Sequence, residues 1–353
     1  MRKLVSILAC ALALGVGLSA CGSPLTPYAA RVDGKEISAA SLVSAMRAVA
    51  DDPGYRCQVR AGSGDQIAIE GSGPGTYSSS FAADVLTQLV QYQAVHQEIA
   101  RLGLTETPFA EALAASELPQ AFSPSAGSGC TTPGPAVLAA FAPSYRRLVT
   151  QFEVDQLTIL AHLAGVELTR AGIRAYVAHH RAESALACTS VIEVASRSTA
   201  QAIYRRLRAG ASFASAARSD SLDASASSGG ALGCVFPSEF TAPLGSIVAA
   251  LPVGQVSQPV AFGADYLLLL VTSRPVAPLE RVAAELLLAQ QSKASALIAA
   301  VSGEAHVTVD PAYGTWRRSR SGWSVQAPSG PADALLPDPA AVTPAAAAVS
   351  PSG

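Results

Sequence analysis

Asparagine is absent from this 353-residue chain, and lysine occurs only at Lys3, Lys35 and Lys293, so arginine supplies nearly all of the 24 positive side chains. Without asparagine no N-glycosylation sequon exists. Charged residues make up only 14% and balance to a formal −2. That removes both the basic field that nucleic-acid backbones attract and the acidic block of a charged tail, so nucleic acid is excluded as a partner. No CxxC pair and no His-x-x-x-His spacing is present, so no metal site and no cofactor are expected. Past the N-terminus no apolar run is long enough for a transmembrane helix; the richest, 279–301, is interrupted by Gln290, Gln291, Ser292 and Lys293. What is plentiful is apolar residues, half of the total, which at this length supply cores for about two domains.

Residues 1–20 carry the features of an export signal. Arg2 and Lys3 form a positive start, 4–18 an apolar run, and Leu18-Ser19-Ala20 sets small residues before Cys21. This ending resembles a bacterial lipoprotein signal, in which Cys21 becomes the lipidated first residue; a secretory signal with an incidental cysteine is the alternative. The expected location is the extracytoplasmic face of the cell membrane, held by a lipid anchor and a spacer at 21–27. Cys10 falls inside the signal, leaving Cys57, Cys130, Cys188 and Cys234. An even set in an exported chain reads as two disulfides. Three connectivities are open, and Cys57–Cys130 with Cys188–Cys234 is preferred because each bridge then stays within one domain of the scheme below.

Residues 28–37 read as strand–turn–strand about Asp33-Gly34, with Ser38 capping a helix to about Ala50. Gly, Ser and Asp crowd 51–80, expected as a long loop. Apolar stripes give helices at 81–102 (Val85, Leu86, Leu89, Val90, Val95) and at 136–164 (Leu148, Phe152, Leu157, Leu160, Leu163). A short helix is expected at 108–115 and a loop at 121–134, and Thr169 caps one more helix ending near His179-His180. From Cys188 the pattern changes to a strand at 190–194, helices at 199–209 and 213–217, and a Gly/Ser loop at 225–233. Helix at 240–250, strand at 266–272, a single long helix at 279–301 and a strand at 307–309 follow. Past Ala327 the Pro/Ala/Ser sequence has no periodicity and is expected to be disordered.

The strings SVIEV, AIYRRLRAGASFASAARSDS, GGALG, FTAPLGSIVAALPVGQVSQPV and YLLLLVTSRP, in that order over 188–275, resemble a parvulin-type peptidyl-prolyl isomerase domain. The flanking VDGKEIS and VTVDPAYGTW look like exported foldases of the SurA/PrsA kind, in which segments before and after the parvulin domain fold together. The resemblance implies an α+β chain. Its parts would be a signal at 1–20, the anchor and spacer at 21–27 and a SurA-N-like helical chaperone domain at 28–183. A βα₃βαββ parvulin-like domain would occupy 184–275, a returning helix and strand 276–326, and a tail 327–353. Implied partners are unfolded or nascent exported proteins and X-Pro peptide segments.

Parvulins hold the proline ring with a Leu or Met and a Phe, and surround the bond with two histidines, a Cys or Asp, and a hydroxyl. Carried over, the ring-holding pair falls on Phe240 and Leu244, the histidines on Ser190 and Leu267, the Cys/Asp on Ser221 with Asp220 and Asp223 near, and the hydroxyl near Phe262. The apolar half of the site is kept and most of the polar half is missing. No histidine lies between His180 and His306, so a one-residue slip in the first strand restores none. The implied function is a membrane-anchored foldase or chaperone with weak or absent isomerase activity; the alternative is a working isomerase with a non-standard site. Ser219, Ser221 and Ser225 have no histidine nearby in sequence, which leaves a hydrolase triad unsupported. His179-His180 sits where a helix C-terminus favours histidine. Trp316 and Trp323 in WRRSRSGW make either a basic aromatic surface or, as preferred, a Trp316 packed on the helical domain. A solute-binding lipoprotein would need repeated parallel βαβ units, which are missing; a structural envelope lipoprotein is the remaining reading.

Overall fold

The computed structural model describes residues 28–63, 68–71, 73, 75–181, 184–319, 322–328 and 336–337. The signal segment, Cys21 and most of 327–353 lie outside the described residues. The chain divides into two compact units, one drawing on 1–46, 68–90 and 306–353, the other on 47–67 and 91–305. No helix among the described residues is long and apolar enough to cross a membrane.

The first unit is built on a three-stranded antiparallel sheet ordered Lys35–Ser38, Tyr28–Val32, Val307–Val309. Asp33 and Gly34 both take positive φ, 48° and 81°, the tight hairpin turn that Asp-Gly favours. The Asp33 N–H donates to the His306 carbonyl at 3.0 Å. Ser38 caps the next helix, Ala39–Ala50, its Oγ accepting the Ser41 N–H at 3.0 Å. A hairpin of Thr315–Ser319 and Gly322–Gln326 stacks Trp316 on Trp323 with centroids 6.1 Å apart, so within this hairpin Trp316 has Trp323 as its aromatic neighbour. In the tail, Leu336–Pro337 pairs with Thr76–Tyr77 rather than being without structure.

The second unit opens with a helix where a loop is expected. The expected loop at 51–80 contains the helix Pro53–Ser63, because Asp52 accepts the Tyr55 N–H at 2.7 Å and Pro53 occupies the first turn. The glycines there masked an Asp-Pro helix start. The helix expected at 108–115 continues to Ala121, started by Thr107, whose Oγ1 accepts the Ala110 N–H. The stretch 136–164 is two helices, Gly134–Ala140 and Pro143–Ala164; Ala142 is extended before Pro143, as a residue preceding proline prefers. The single helix expected at 279–301 is also two, Leu279–Leu288 and Gln291–Glu304, parting at the polar Gln290. Their core gathers Val95, Phe109, Leu113, Leu157, Leu160 and Leu287 among others.

A four-stranded antiparallel sheet follows, ordered Ala231–Val235, Ala187–Val194, Asp265–Ser273, Val260–Phe262. With the helices Arg197–Arg208, Phe213–Asp220 and Leu244–Ala250 and a 3₁₀ turn at Ala224–Ser228, this is the βα₃βαββ order. One face buries Ile192, Val194 and Leu268 against Ile203, Leu207 and Phe213. The other buries Val191, Leu267, Leu269 and Val271 against Leu244 and Val248. Phe236, 1% exposed and just past the edge strand, belongs to the helical core, and Cys234 within that strand packs against it. The chain is therefore α+β, a helical assembly with a parvulin-like sheet domain.

Both preferred disulfides are formed. Cys188–Cys234 joins directly paired residues of adjacent strands, and Cys57–Cys130 ties the Pro53–Ser63 helix to the loop after Ala121. The latter closes a loop of 73 residues. Replacing Cys57 and Cys130 together by Ser is expected to cost about 4 kcal/mol through the freed denatured chain. Urea unfolding of both proteins under oxidising conditions measures this, and equal midpoints would show that the bridge contributes nothing.

Candidate functional site

Strand pairing decides which of the expected residues meet. Ser190 pairs with Leu270, Val191 with Leu269, Ile192 with Leu268 and Glu193 with Leu267. Directly paired residues share a face. Leu267 lies on the face of Leu244 and Val248, with Phe240 and Val260 packed at its edge. Ser190 shares its face with Leu270, which packs on the opposite, helix-covered side. The expected pair of Ser190 and Leu267 is thus divided by the sheet: one residue of register moves a side chain to the other face. The pocket face of that strand is supplied by Thr189, Val191 and Glu193.

The remaining positions converge. Leu244 is buried and Phe240 half-buried in the apolar cluster that holds Leu267. Phe262, 42% exposed, stands on the edge strand two residues beyond Val260, which pairs with Leu267. Ser221 ends the Phe213–Asp220 helix, and its Oγ accepts N–H bonds from Glu193 (3.1 Å) and Asp223 (3.2 Å). The Leu222 N–H donates to the Glu193 carbonyl. Ser221 therefore fastens its loop to the strand beside Glu193, a role that occupies its oxygen. Asp220 is turned to Arg206 in an ion pair. Gly230 explains the GGALG string: at φ +82° a Cβ would lie 2.3 Å from the Val191 carbonyl oxygen, so only glycine lets the loop meet the strand. In the GQVSQP stretch, Ser257 exchanges bonds with Leu269, donating N–H to its carbonyl at 2.8 Å and accepting its N–H at 2.9 Å.

Glu193 is the functional candidate missing from the sequence reading. Nothing in SVIEV marks it, because its importance comes from lying opposite Leu267. Its carboxyl is raised above the ordinary range by burial, then by Asp265 and Asp223. The arrangement is an apolar patch of Phe240, Leu244 and Leu267 bordered by one perturbed carboxyl and no histidine. It has no nucleophile–base pair.

Residues 189–273 match the family described as "Rotamase: PPIC-type PPIASE domain". This segment therefore has the sequence pattern of a PpiC-type domain. The chain is 38% identical over 96 residues to the Periplasmic chaperone PpiD of Haemophilus influenzae, a match covering 27% of this chain and 15% of that protein. The foldase protein PrsA from Lactococcus lactis overlays 81% of this chain and 96% of its own at 12% identity and a TM-score of 0.37. PrsA from Bacillus subtilis overlays 77% and 90% at 19% identity and a TM-score of 0.25. Both scores fall below 0.5, so neither overlay bears on the geometry above.

The raised Glu193 carboxyl makes a signed prediction. A carboxyl whose folded pKa exceeds its unfolded one favours folding when protonated; that contribution is complete below about pH 4.3 and is lost as pH rises through the raised value. Glu193→Gln is therefore expected to be more stable than the parent at pH 7, with the gap closing near pH 4. Urea midpoints at the two pH values test it, and a variant less stable at pH 7 would refute the assignment.

Proposed function

We propose that this protein is an extracytoplasmic foldase, anchored by a lipid on Cys21, that binds unfolded exported chains and whose parvulin-like domain grips apolar and X-Pro segments with weak or absent isomerase activity. The observation that supports this reading is the apolar cluster itself: Phe240, Leu244 and Leu267 pack together, Glu193 lies opposite Leu267, and the sequence has no histidine between His180 and His306. Rotation about a peptide bond faces a barrier of roughly 18–20 kcal/mol. A catalyst lowers it only through contacts stronger in the twisted amide than in the planar one. Gripping the ring in an apolar patch supplies binding and some desolvation, which favours the less conjugated amide modestly. Polar groups aimed at the rotating amide supply the larger share in general, and here Glu193 is the one such group identified beside the cluster. Clients are unfolded proteins exported across the membrane, in keeping with the PpiD relative being a periplasmic chaperone. A working isomerase with a non-standard site is the second reading, favoured by the position of Glu193 beside Leu267.

The deciding assay follows cis–trans exchange in X-Pro tetrapeptides with the full chain, alongside aggregation of an unfolded client. Exchange close to the uncatalysed rate is expected, together with suppressed aggregation. Phe240→Ala is expected to weaken proline-peptide binding about tenfold, the loss of roughly 1.4 kcal/mol. Strong acceleration abolished by Phe240→Ala would establish the isomerase reading instead.

The anchor has its own test. Cys21→Ala is expected to move the protein from the membrane to the soluble extracytoplasmic fraction, and unchanged partitioning would remove the lipid from the proposal.

A further inference from the structure

Away from the sheet, in the helical part of the second unit, three segments bring potential metal ligands together. His96 comes from the helix Ser79–Arg101, Glu106 from the turn ahead of Pro108–Ala121, and Asp155 from the helix Pro143–Ala164. One ligand atom from each lies within 4.8 Å of the other two. His96 Nδ1 is 3.0 Å from Asp155 Oδ2. Gln151 holds both carboxylates, its Nε2 donating to Glu106 Oε1 at 2.9 Å and to Asp155 Oδ1 at 3.1 Å.

The charges in this cluster are not balanced. The Asp155 side chain is 1% exposed, and its one ion-pair partner among the described residues is His96, itself half-exposed. Glu106 has no Lys or Arg ion pair among the described residues. Two carboxyl groups face one imidazole, and a buried carboxylate is costly unless it is neutralised. Gln151 contributes donors but no charge. It also fixes the carboxylates in place, as outer-shell groups do around bound metals.

The geometry points to a divalent transition-metal site formed by His96, Glu106 and Asp155, with Zn²⁺ the best match. One imidazole nitrogen and two carboxylate oxygens form a borderline donor set suited to Zn²⁺. Metal–ligand bonds of about 2.0–2.2 Å place tetrahedral donors roughly 3.3 Å apart. The His96–Asp155 separation of 3.0 Å is a few tenths of an ångström short of such an edge, and Glu106, in the turn ahead of a helix, has a ligand atom within 4.8 Å of both. The half-exposed imidazole leaves the solvent side open for a water in the fourth position. Such an ion would join two helices and a turn of the helical core, a structural staple independent of the function proposed above.

The test is isothermal titration of ZnCl₂ into the full chain stripped with chelator, paired with thermal unfolding with and without Zn²⁺. One site with a micromolar or tighter Kd and a rise in Tm are expected. Asp155→Asn and His96→Gln are each expected to weaken binding by more than about tenfold and to remove the Tm rise. Replacing His179 and His180 together by Ala controls for surface uptake and is expected to change neither. His96→Gln keeps the test open if Asp155→Asn does not fold, because His96 is half-exposed. Absence of Zn²⁺ binding, unaltered binding in His96→Gln, or binding lost in the His179/His180 variant overturns the site.

Discussion

The register between Ala187–Val194 and Asp265–Ser273 is the constraint on which the functional part of this molecule depends. Rungs run from Val194 opposite Tyr266 to Cys188 opposite Ser273, with one irregularity between Cys188 and Thr189. Helices cover both faces, so the closing strand carries the unbroken run YLLLLV instead of alternating apolar and polar residues. That run contains no cue to its own phase. The partner strand and the covering helices set it, sending Leu267 and Leu269 towards Leu244 and Val248, and Leu268 and Leu270 towards the Arg197–Arg208 and Phe213–Asp220 side. Which residues border the apolar cluster of Leu244 and Leu267 follows from this phase.

A second consequence concerns how a chain with few aromatics packs. With aromatics at 6% and helices rich in alanine, large side chains must be concentrated where helices meet. Tyr55, Phe122, Phe141 and Tyr145 form successive edge-to-face contacts with centroids near 5 Å, beside the Cys57–Cys130 bridge. Within the same unit Phe236 carries the sheet's edge segment into the helical cluster. Arg281 reinforces that joint by donating to the Cys234 carbonyl and pairing with Glu239. The sheet domain is thereby docked on helices and not merely tethered to them.

Most elements were legible because their signals are local. Asp33-Gly34 states its turn, and Ser38, Thr107 and Thr169 cap helices through their own hydroxyls. Errors arose where two local signals competed. At 51–63 the glycines and serine outweighed Asp52-Pro53, and at 279–301 a continuous apolar pattern hid the break at Gln290. The site was less legible for a different reason. Phe240, Leu244 and Leu267 could be carried over from a resemblance, but Glu193 acquires its setting only from a partner strand more than seventy residues away in sequence, and Ser190 loses its expected setting by a single step of register. His96, Glu106 and Asp155 belong to three segments that no short motif spans.

The chemistry of the pocket face separates binding from catalysis. Under the function proposed above, contact of Phe240, Leu244 and Leu267 with a proline ring would change little as the amide rotates, since the ring keeps its shape while the bond beside it twists. Contacts of equal strength in the planar and twisted states raise occupancy and leave the barrier where it was. A leucine at 267 can also be buried without a polar partner, so replacing a polar network by apolar side chains leaves no donor unsatisfied and the fold bears no penalty. Glu193, its carboxyl raised by burial and by two neighbouring aspartates, is the ionisable group on the face of that strand which Thr189 and Val191 share.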